Sequence, residues 1–345
     1  MMKKHSLYLL IMVLFIAQIS FASTETVQEQ EPTYKYVTKP TESLFIQKTP
    51  SVDKLVSNVT AGVTQGVDSN PLLDSSHKID SYTQESVDMH FKYPVFGSVL
   101  GFTNSKFGFY VNNTNYYNMT DVNIFNAIGD VSLEQEIFDK GTLNAGYTFE
   151  SMWFPNSRDG TFIGNQFNVG ARQNLTSWAY QRLTYRIILR DYLSRKAELG
   201  NGTKSSDNRF DVRNQFEHEL GVYAGNKTKL KVTNQFYIND SNDQFYDYYS
   251  YVNYRLGISI VQFMTKKLYS TAGVYYQRRD YFSRPISDGN TIEGDNLYLV
   301  TASVLYDVTK NISIFVNYSH SENHTNNPAE QYVDTLYSGG FYYSF

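Results

Sequence analysis

The chain has 345 residues, a net charge of −4 at pH 7 and no cysteine. Its length suits one large domain, and so mild a charge gives no reason to expect nucleic acid as a partner. The absence of cysteine excludes disulfides, thiolate metal sites, thiol nucleophiles and lipidated cysteines. The 30 Tyr and 23 Phe far outnumber the 2 Trp, and such an aromatic excess is typical of the girdles of membrane β-barrels.

Residues 1–22 have the pattern of a secretory signal peptide. The basic start at Lys3 and Lys4 precedes an apolar run over 7–19, and Ser20-Phe21-Ala22 supplies small residues for cleavage. This run is too short for a membrane-spanning helix, and no later apolar run reaches the roughly 18 residues that such a helix needs. We therefore expect export through the secretion translocon.

Residues 23–55 are polar, rich in Thr and Glu, and show no sustained hydrophobic period. Two interpretations remain open for this segment. It is either a flexible periplasmic lead-in or a plug or partner-binding arm.

From Val56 onward, apolar residues recur at every second position in segments separated by turn residues. This period is typical of β-strands with one apolar face. About fourteen strands are predicted, over 56–67, 80–93, 98–112, 121–137, 141–152, 161–173, 179–193, 207–223, 228–238, 245–262, 267–281, 296–307, 311–320 and 332–345.

The connectors after even-numbered and odd-numbered predicted strands differ in length and polarity. Those after even-numbered strands are short, as at 138–141 and 224–227, whereas those after odd-numbered strands, such as 68–79 and 282–295, are mostly longer and more polar. Outer-membrane barrels have short periplasmic turns, longer external loops and an even number of strands. A soluble β-sandwich has no reason for this asymmetry.

The last predicted strand ends in alternating aromatic residues: Tyr337, Phe341, Tyr343 and Phe345 share one register. A soluble strand can show the same alternation. The stretch nevertheless resembles the C-terminal signature of Gram-negative outer-membrane β-barrel proteins, which the barrel-assembly machinery reads. The resemblance implies an all-β fold, a transmembrane antiparallel up-and-down barrel over 56–345, located in the outer membrane among lipid and lipopolysaccharide.

A second resemblance covers only three residues. Asp68-Ser69-Asn70, directly after the first predicted strand, is similar to an Asp-x-Asn element of some porin-like barrels, including barrels fused to periplasmic repeat domains that act in secretion. No helical repeat precedes the predicted barrel here, which argues against a role in modifying secretion.

Charged residues fall on the register opposite to the apolar one, so we expect them to face the lumen. Placing them toward lipid would cost about 2–4 kcal/mol each near the midplane. If the turn after the eighth strand centres on Gly225, Glu219 lies directly across from Lys231 and pairs with it. The candidate lumen charges are Arg182, Arg186, Arg190, Arg209, Asp211, Arg213, Glu217, Glu219 and Lys231.

These charges permit two interpretations. They form either a basic stripe that attracts anionic solutes or a charge-balanced wall that only keeps the lumen wet. Asp88, Asp130, Glu134 and Glu150 are expected inward on other strands and supply counter-charges. Whether the two walls face each other is not decided by the sequence.

Catalysis and metal binding have little support in the sequence. His77 and His324 fall in predicted external loops, and no Ser–His–Asp arrangement occurs in strand register. Asp240, Asn242 and Asp243 lack the full ligand spacing of an EF-hand loop. We expect no enzyme activity, no metal and no cofactor.

The sequence therefore favours a porin-like channel for passive passage of small hydrophilic solutes, with a weak preference for anions. One alternative is a non-conducting surface or adhesion protein whose lumen is filled by side chains and the 23–55 segment. Inward aromatic residues such as Tyr249, Tyr251, Tyr269 and Tyr275 favour partial filling or sugar stacking. A third possibility is an export barrel for polysaccharide or lipoprotein.

Overall fold

The computed structural model describes residues 56–73, 78–94, 104–137, 141–286, 289 and 291–345. The predicted signal peptide and the 23–55 segment lie outside these residues. In the part of the chain that is described, no helix is both long enough and apolar enough to cross a membrane. Three short 3₁₀ turns occur in loops, at Thr120–Val122, Arg158–Gly160 and Pro328–Glu330.

Fourteen antiparallel strands close into one barrel, because β14 pairs with β1 and every other strand pairs with its neighbours in sequence. The strands are β1 (Val56–Asp68), β2 (Asp80–Pro94), β3 (Asn104–Tyr116), β4 (Ile124–Ile137), β5 (Gly141–Trp153), β6 (Phe162–Asn174), β7 (Ala179–Glu198), β8 (Lys204–Ala224), β9 (Thr228–Ser241), β10 (Tyr251–Phe263), β11 (Leu268–Pro285), β12 (Ile292–Asp307), β13 (Ile312–Thr325) and β14 (Tyr332–Ser344).

The outer face of the barrel is apolar and the inner face is polar. Val169 on β6, Val274 on β11 and Val316 on β13 are 56%, 53% and 65% exposed, whereas their neighbours in sequence point inward. A continuous apolar surface around a closed barrel is stable only against lipid. The predicted all-β antiparallel barrel is therefore confirmed, and the protein is an outer-membrane β-barrel.

Connector length gives the barrel its orientation. The connectors 175–178, 225–227, 264–267 and 308–311 are short and lie at one end, whereas 154–161 and 242–250 at the other end are longer. Short turns mark the periplasmic end, so the odd-numbered strands rise from the periplasm and the even-numbered strands return.

Several predicted strand ends were wrong at the external rim. β7 continues to Glu198 and β8 begins at Lys204, where the sequence indicated a loop over 194–206. Backbone pairing continues there through register shifts beyond Asp191. Outside the bilayer a strand needs no apolar face. The alternation of apolar and polar residues therefore ends before the backbone hydrogen bonds of the strand do.

The predicted strand over 245–262 was wrong at its start. β10 begins at Tyr251, and Tyr246 and Asp247 before it have positive φ angles of 56° and 44°. Backbone hydrogen bonds from Tyr248 N to Phe245 O and from Ser250 N to Asp247 O fold this stretch into turns. Tyr246 and Tyr248, which alternate as in a strand, therefore belong to the loop. For β3, the predicted residues 98–103 lie outside the described residues, and the strand runs four residues past its predicted end at 112, to Tyr116.

The Asp68-Ser69-Asn70 element joins the first strand to the last. The Ser69 backbone N donates to the Thr335 carbonyl at 3.0 Å, and the Asn70 side-chain amide donates to the Val333 carbonyl at 3.3 Å. Asp68 accepts a hydrogen bond from the Asn70 backbone N. These contacts, which we call the closure clasp, continue the β1–β14 pairing beyond the end of β1.

Candidate functional site: the charged lumen wall

The inner faces of β6 to β11 carry most of the basic residues of the lumen. Arg182, Arg186 and Arg190 share one register of β7. The pairing of β7 with β8 places them beside the inward residues of β8. The inward register of β8 contains Arg209, Asp211, Arg213, Glu217 and Glu219, and that of β9 contains Lys231. All nine candidate charges thus point away from the apolar outer face.

Ion pairs neutralise part of this wall. Arg186 Nη1 lies 2.8 Å from Glu217 Oε2 on the next strand. Arg190 Nη2 reaches 4.0 Å from Glu150 Oε2, two strands away. Gly164 lies between these two residues in the register, and its missing side chain leaves room for the pair.

Glu219 contacts both Lys231 and Tyr180, but its register differs from the predicted one. Glu219 lies across from Thr233, and Lys231 lies across from Gly221, because the turn is centred on Asn226 instead of Gly225. Lys231 nevertheless reaches Glu219 diagonally, with Nζ 3.3 Å from Oε2. The Tyr180 hydroxyl donates to the other carboxylate oxygen at 2.6 Å.

Nearer the external end, the arginines are packed between tyrosine rings. The Arg209 guanidinium lies 4.2 Å from the Tyr192 ring centroid and 3.5 Å from that of Tyr249. Its Nε donates to Asp211 Oδ1 at 3.0 Å. Arg209 is 1% exposed and Asp211 is 3% exposed, so solvent scarcely reaches this ion pair.

The same packing continues across β8 to β11. Arg213 stacks on Tyr237 at 4.3 Å and donates to the Tyr251 hydroxyl at 2.9 Å. Arg279 lies 5.1 Å from the Tyr251 ring, with its Nε 3.9 Å from Asp295 Oδ2. Arg284 stacks on the Tyr248 ring at 3.7 Å. We call this set the arginine–tyrosine ladder: Tyr192, Arg209, Asp211, Arg213, Tyr237, Tyr248, Tyr249, Tyr251, Arg279, Tyr281 and Arg284.

The ladder was only partly foreseen. Alternation predicted Arg209, Asp211, Arg213 and Tyr251 as inward residues, but Tyr192, Tyr237 and Tyr281 were not singled out, nor was Arg284. Tyr237 and Tyr281 do have the inward register of their strands, which is the signal that would have found them. Arg284 follows a register shift in β11 that no sequence pattern announces.

Toward the periplasmic end, two arginines have no ion pair within the described part of the chain. Arg172 on β6 and Arg182 on β7 are direct register partners, which places their Cα atoms about 5 Å apart. The Arg172 guanidinium stacks on the Tyr180 ring at 4.0 Å, and Lys229 Nζ lies 5.6 Å from the same ring. We call Arg172 and Arg182 the basic pair.

The inner faces of β2 to β5 are more acidic. Asp88 lies 2.9 Å from His90 Nε2, and Glu134 forms an ion pair with Lys106. Asp130 and Glu150 share the inward register of their strands with Glu134 and Met152 respectively. In a ring of fourteen strands, β2 lies opposite β9 and β3 lies opposite β10, so part of the acidic wall faces part of the basic wall.

The described histidines do not assemble into a metal centre. No group of three or more His, Cys, Asp or Glu side chains suited to a metal ion occurs among the described residues. His320 and His324 on β13 both lie 3.1 Å from Glu322 near the external rim. His324 is thus in a strand and not in the predicted loop, and His77 lies outside the described residues.

The four residues of the predicted assembly signature lie on the outer face of β14 or at its end. Tyr337, Phe341, Tyr343 and Phe345 are 58%, 49%, 41% and 75% exposed. Tyr337 pairs in register with Tyr318, and their rings are 5.3 Å apart. Recognition of these residues by the assembly machinery stays a prediction.

Comparison with known proteins gives matches at the level of fold. No protein-family model and no curated protein sequence matches the chain. OmpT of Vibrio cholerae is 13% identical over 84% of this chain and 98% of its own, with a TM-score of 0.49. The outer-membrane channel DcaP of Acinetobacter baumannii is 9% identical (84% and 97% covered, TM-score 0.47). The anion-selective porin of Comamonas acidovorans is 8% identical (85% and 99% covered, TM-score 0.46).

Proposed function

We propose that this protein is a passive channel for small hydrophilic solutes, with a weak preference for anions. The observation that carries the proposal is the solvent contact of charged side chains inside the barrel. The side chains of the Arg186–Glu217 pair are 22% and 18% exposed, and that of Lys231 is 33% exposed. These residues lie on the inner face within the strands, so water must enter the lumen to reach them.

The arginine–tyrosine ladder restricts where such a passage runs. Arg209, Tyr251 and Tyr281 are at most 2% exposed, so the external half of the lumen is occupied along β7 to β11. Solutes would then pass along β2 to β6, where the inward residues Asp130 and Glu150 keep partial exposure, and meet the basic pair deeper in the barrel. Inward residues nearer the external ends of these strands, such as Asn126 and Met152, are buried, so the passage is narrow there.

The preference for anions rests on the basic pair more than on the whole basic stripe. Arg186 and Arg209 are neutralised by Glu217 and Asp211, whereas Arg172 and Arg182 have no such partner among the described residues. The potential inside a narrow aqueous passage depends on local wall charge more than on the net charge of the chain. Arg182 lies across from Glu219, but Arg172, Arg182, Lys229 and Lys231 outnumber that carboxylate on this wall, so the local charge in its periplasmic half is positive.

The test is the reversal potential of single channels in planar bilayers across a KCl gradient. Wild type should be weakly anion-selective, and Arg172→Glu with Arg182→Glu should shift the reversal potential toward cations. Arg278→Glu is the matched control, because Arg278 pairs with Asp280 on the outward register of β11 and its reversal should leave selectivity unchanged. A cation-selective wild type would contradict the anion preference.

The ladder also favours a second candidate, a non-conducting surface protein. Its packed rings and buried ion pairs occupy lumen volume that a wide pore would leave open. The bilayer measurement separates the two functions, because a correctly folded barrel that never conducts would contradict the passive channel and favour the surface-protein role.

A further inference from the structure

The lipid-facing surface of β7 to β10 contains a polar patch at mid-membrane depth. Asn214 and His218 on β8 share the outward register with the exposed Phe210, and Asn234 on β9 shares it with the exposed Leu230 and Phe236. We define the outer polar patch as Asn214, His218, Asn234, Tyr185 and Tyr254. His218 and Asn234 are direct register partners, so the patch is continuous across the two strands.

The centre of the patch, at Asn234 and its register partner His218, lies near the bilayer centre and away from the headgroups, and Asn214 lies four residues farther toward the external end of β8. On β9, Leu230, Val232, Phe236 and Ile238 surround Asn234 on the same face, with two apolar residues on each side. Four residues along a tilted strand correspond to about 10 Å along the membrane normal. The apolar band of such barrels is about 25 Å tall, so Asn234 lies close to its middle.

The hydrogen bonds within the patch satisfy the side-chain carbonyl oxygen of each asparagine but not its amino group. The Tyr185 hydroxyl donates to Asn214 Oδ1 at 2.8 Å, and the Tyr254 hydroxyl donates to Asn234 Oδ1 at 3.0 Å. The Nδ2 groups of Asn214 and Asn234 have no acceptor among the described residues. Hydrocarbon chains cannot supply one, and an unsatisfied amide donor in lipid is costly.

Two similar pairs elsewhere on the barrel lie where water can complete them. Tyr147 donates to Asn165 and Tyr276 donates to Asn296, at 2.6 Å and 2.7 Å. Asn165 and Asn296 lie only three and four residues from the external ends of β6 and β12, nearer to water than Asn234 in the middle of β9. The depth of Asn234, seven residues from the external end of β9, is therefore what distinguishes the outer polar patch.

We propose that the outer polar patch is the interface at which two copies of this chain associate about a two-fold axis along the membrane normal. Polar groups at membrane depth are tolerated where they face protein. The amide Nδ2 groups are donors, and the carbonyl oxygens and tyrosine hydroxyls retain acceptor capacity. A surface that carries both hydrogen-bond donors and acceptors can be complementary to itself, as an isologous interface requires.

A single-cysteine experiment tests this arrangement directly, because the natural chain has no cysteine. Asn234→Cys should form a disulfide-linked dimer when native outer membranes are oxidised. Val63→Cys is the control, because Val63 is 39% exposed on the lipid face of β1, far around the ring from β9. Absence of the Asn234→Cys dimer, or equal cross-linking at both positions, would overturn the proposal.

The second test measures mass in mild detergent by light scattering. Wild type should be a dimer, and Asn214→Leu with Asn234→Leu should weaken dimerisation at least tenfold. Leucine suits lipid, so this variant should keep its heat-modifiable migration and thereby prove folded. Asn296→Leu should stay dimeric. A monomeric wild type, a wild type larger than a dimer, or a Leu variant that stays dimeric would each contradict the two-fold interface.

Discussion

At the scale of single residues, this lumen holds charge by pairing it and covering it with aromatic rings. Arg209 is stacked between Tyr192 and Tyr249 and bonded to Asp211. Arginine suits such a position, because its planar, weakly hydrated guanidinium stacks on a ring and still donates at its edge. Loss of either residue would therefore leave the other charge buried without its partner.

Removing one residue of this buried ion pair should destabilise the fold far more than removing one residue of an exposed ion pair. Arg209→Met leaves the buried Asp211 carboxylate uncompensated and should cost about 3–5 kcal/mol. Arg278→Met breaks the half-exposed pair with Asp280 and should cost about 0–1 kcal/mol. Urea unfolding of the folded barrel in detergent compares the two. Equal midpoints would mean that the Arg209–Asp211 pair is not buried in solution.

Neighbouring residues on β7 should respond oppositely to a new charge. Ile187 shares the outward register with the exposed Tyr185, and Ile188 shares the inward register with Arg186 and Arg190. Ile187→Arg should cost about 2–4 kcal/mol near the midplane, and Ile188→Arg should cost much less. The same urea measurement gives both values, and equal costs would show that the β7 register is wrong.

At the scale of elements, the first and last strands have the greatest separation in sequence and must still pair. The closure clasp adds side-chain bonds where β1 ends, and Asp68 within it also accepts the Tyr116 hydroxyl of β3 at 2.8 Å. A short motif thus links three strands that meet at one point of the rim.

Removal of the clasp should loosen that seam. Asp68→Ala removes the acceptor of the partly buried Tyr116 hydroxyl and of the Asn70 backbone N, at a cost of about 1–3 kcal/mol. Hydrogen exchange should accelerate at the external end of the β1–β14 pairing, and the melting temperature should fall. Asn201→Ala is the control, because Asn201 accepts bonds only within its exposed hairpin tip. Unchanged exchange at the seam would remove the clasp from barrel closure.

At the scale of the whole molecule, charge is separated around the ring. Basic residues concentrate on β6 to β11, whereas acidic residues outnumber basic ones on β1 to β5, although the chain as a whole carries only −4. In a closed barrel these walls partly face each other, so the field across the lumen is stronger than the net charge suggests.

Selectivity should therefore depend on ionic strength. The Debye length falls from about 10 Å at 0.1 M salt to about 3 Å at 1 M, so the wall charges act over less of the passage at high salt. The anion preference should be measurable at 0.1 M KCl and should decline toward that of free solution at 1 M, the two conditions that bilayer recordings would compare. A preference independent of salt would indicate a steric filter in place of the basic pair.

The sequence alone determined the architecture, because alternation and connector length are local properties. Apolar residues at every second position specified which side chains face lipid, and the contrast between short and long connectors specified which end is periplasmic. The inward register of Arg182, Arg186 and Arg213 followed from the same alternation. Rim boundaries were missed, because strands outside the bilayer need no apolar face, as in the hairpin of β7 and β8.

Only the tertiary structure decided which inward charges are neutralised and which are covered. Glu150 pairs with Arg190 across an intervening glycine, and Arg209 meets Tyr249 from a distant loop. Such contacts depend on the closure of the ring and on turn geometry. The turn after β8 is centred on Asn226 instead of Gly225, and this shift of one residue changes which side chains of β8 and β9 lie opposite each other. Side-chain partners in a barrel are set by register, and register is fixed only when all strands are paired.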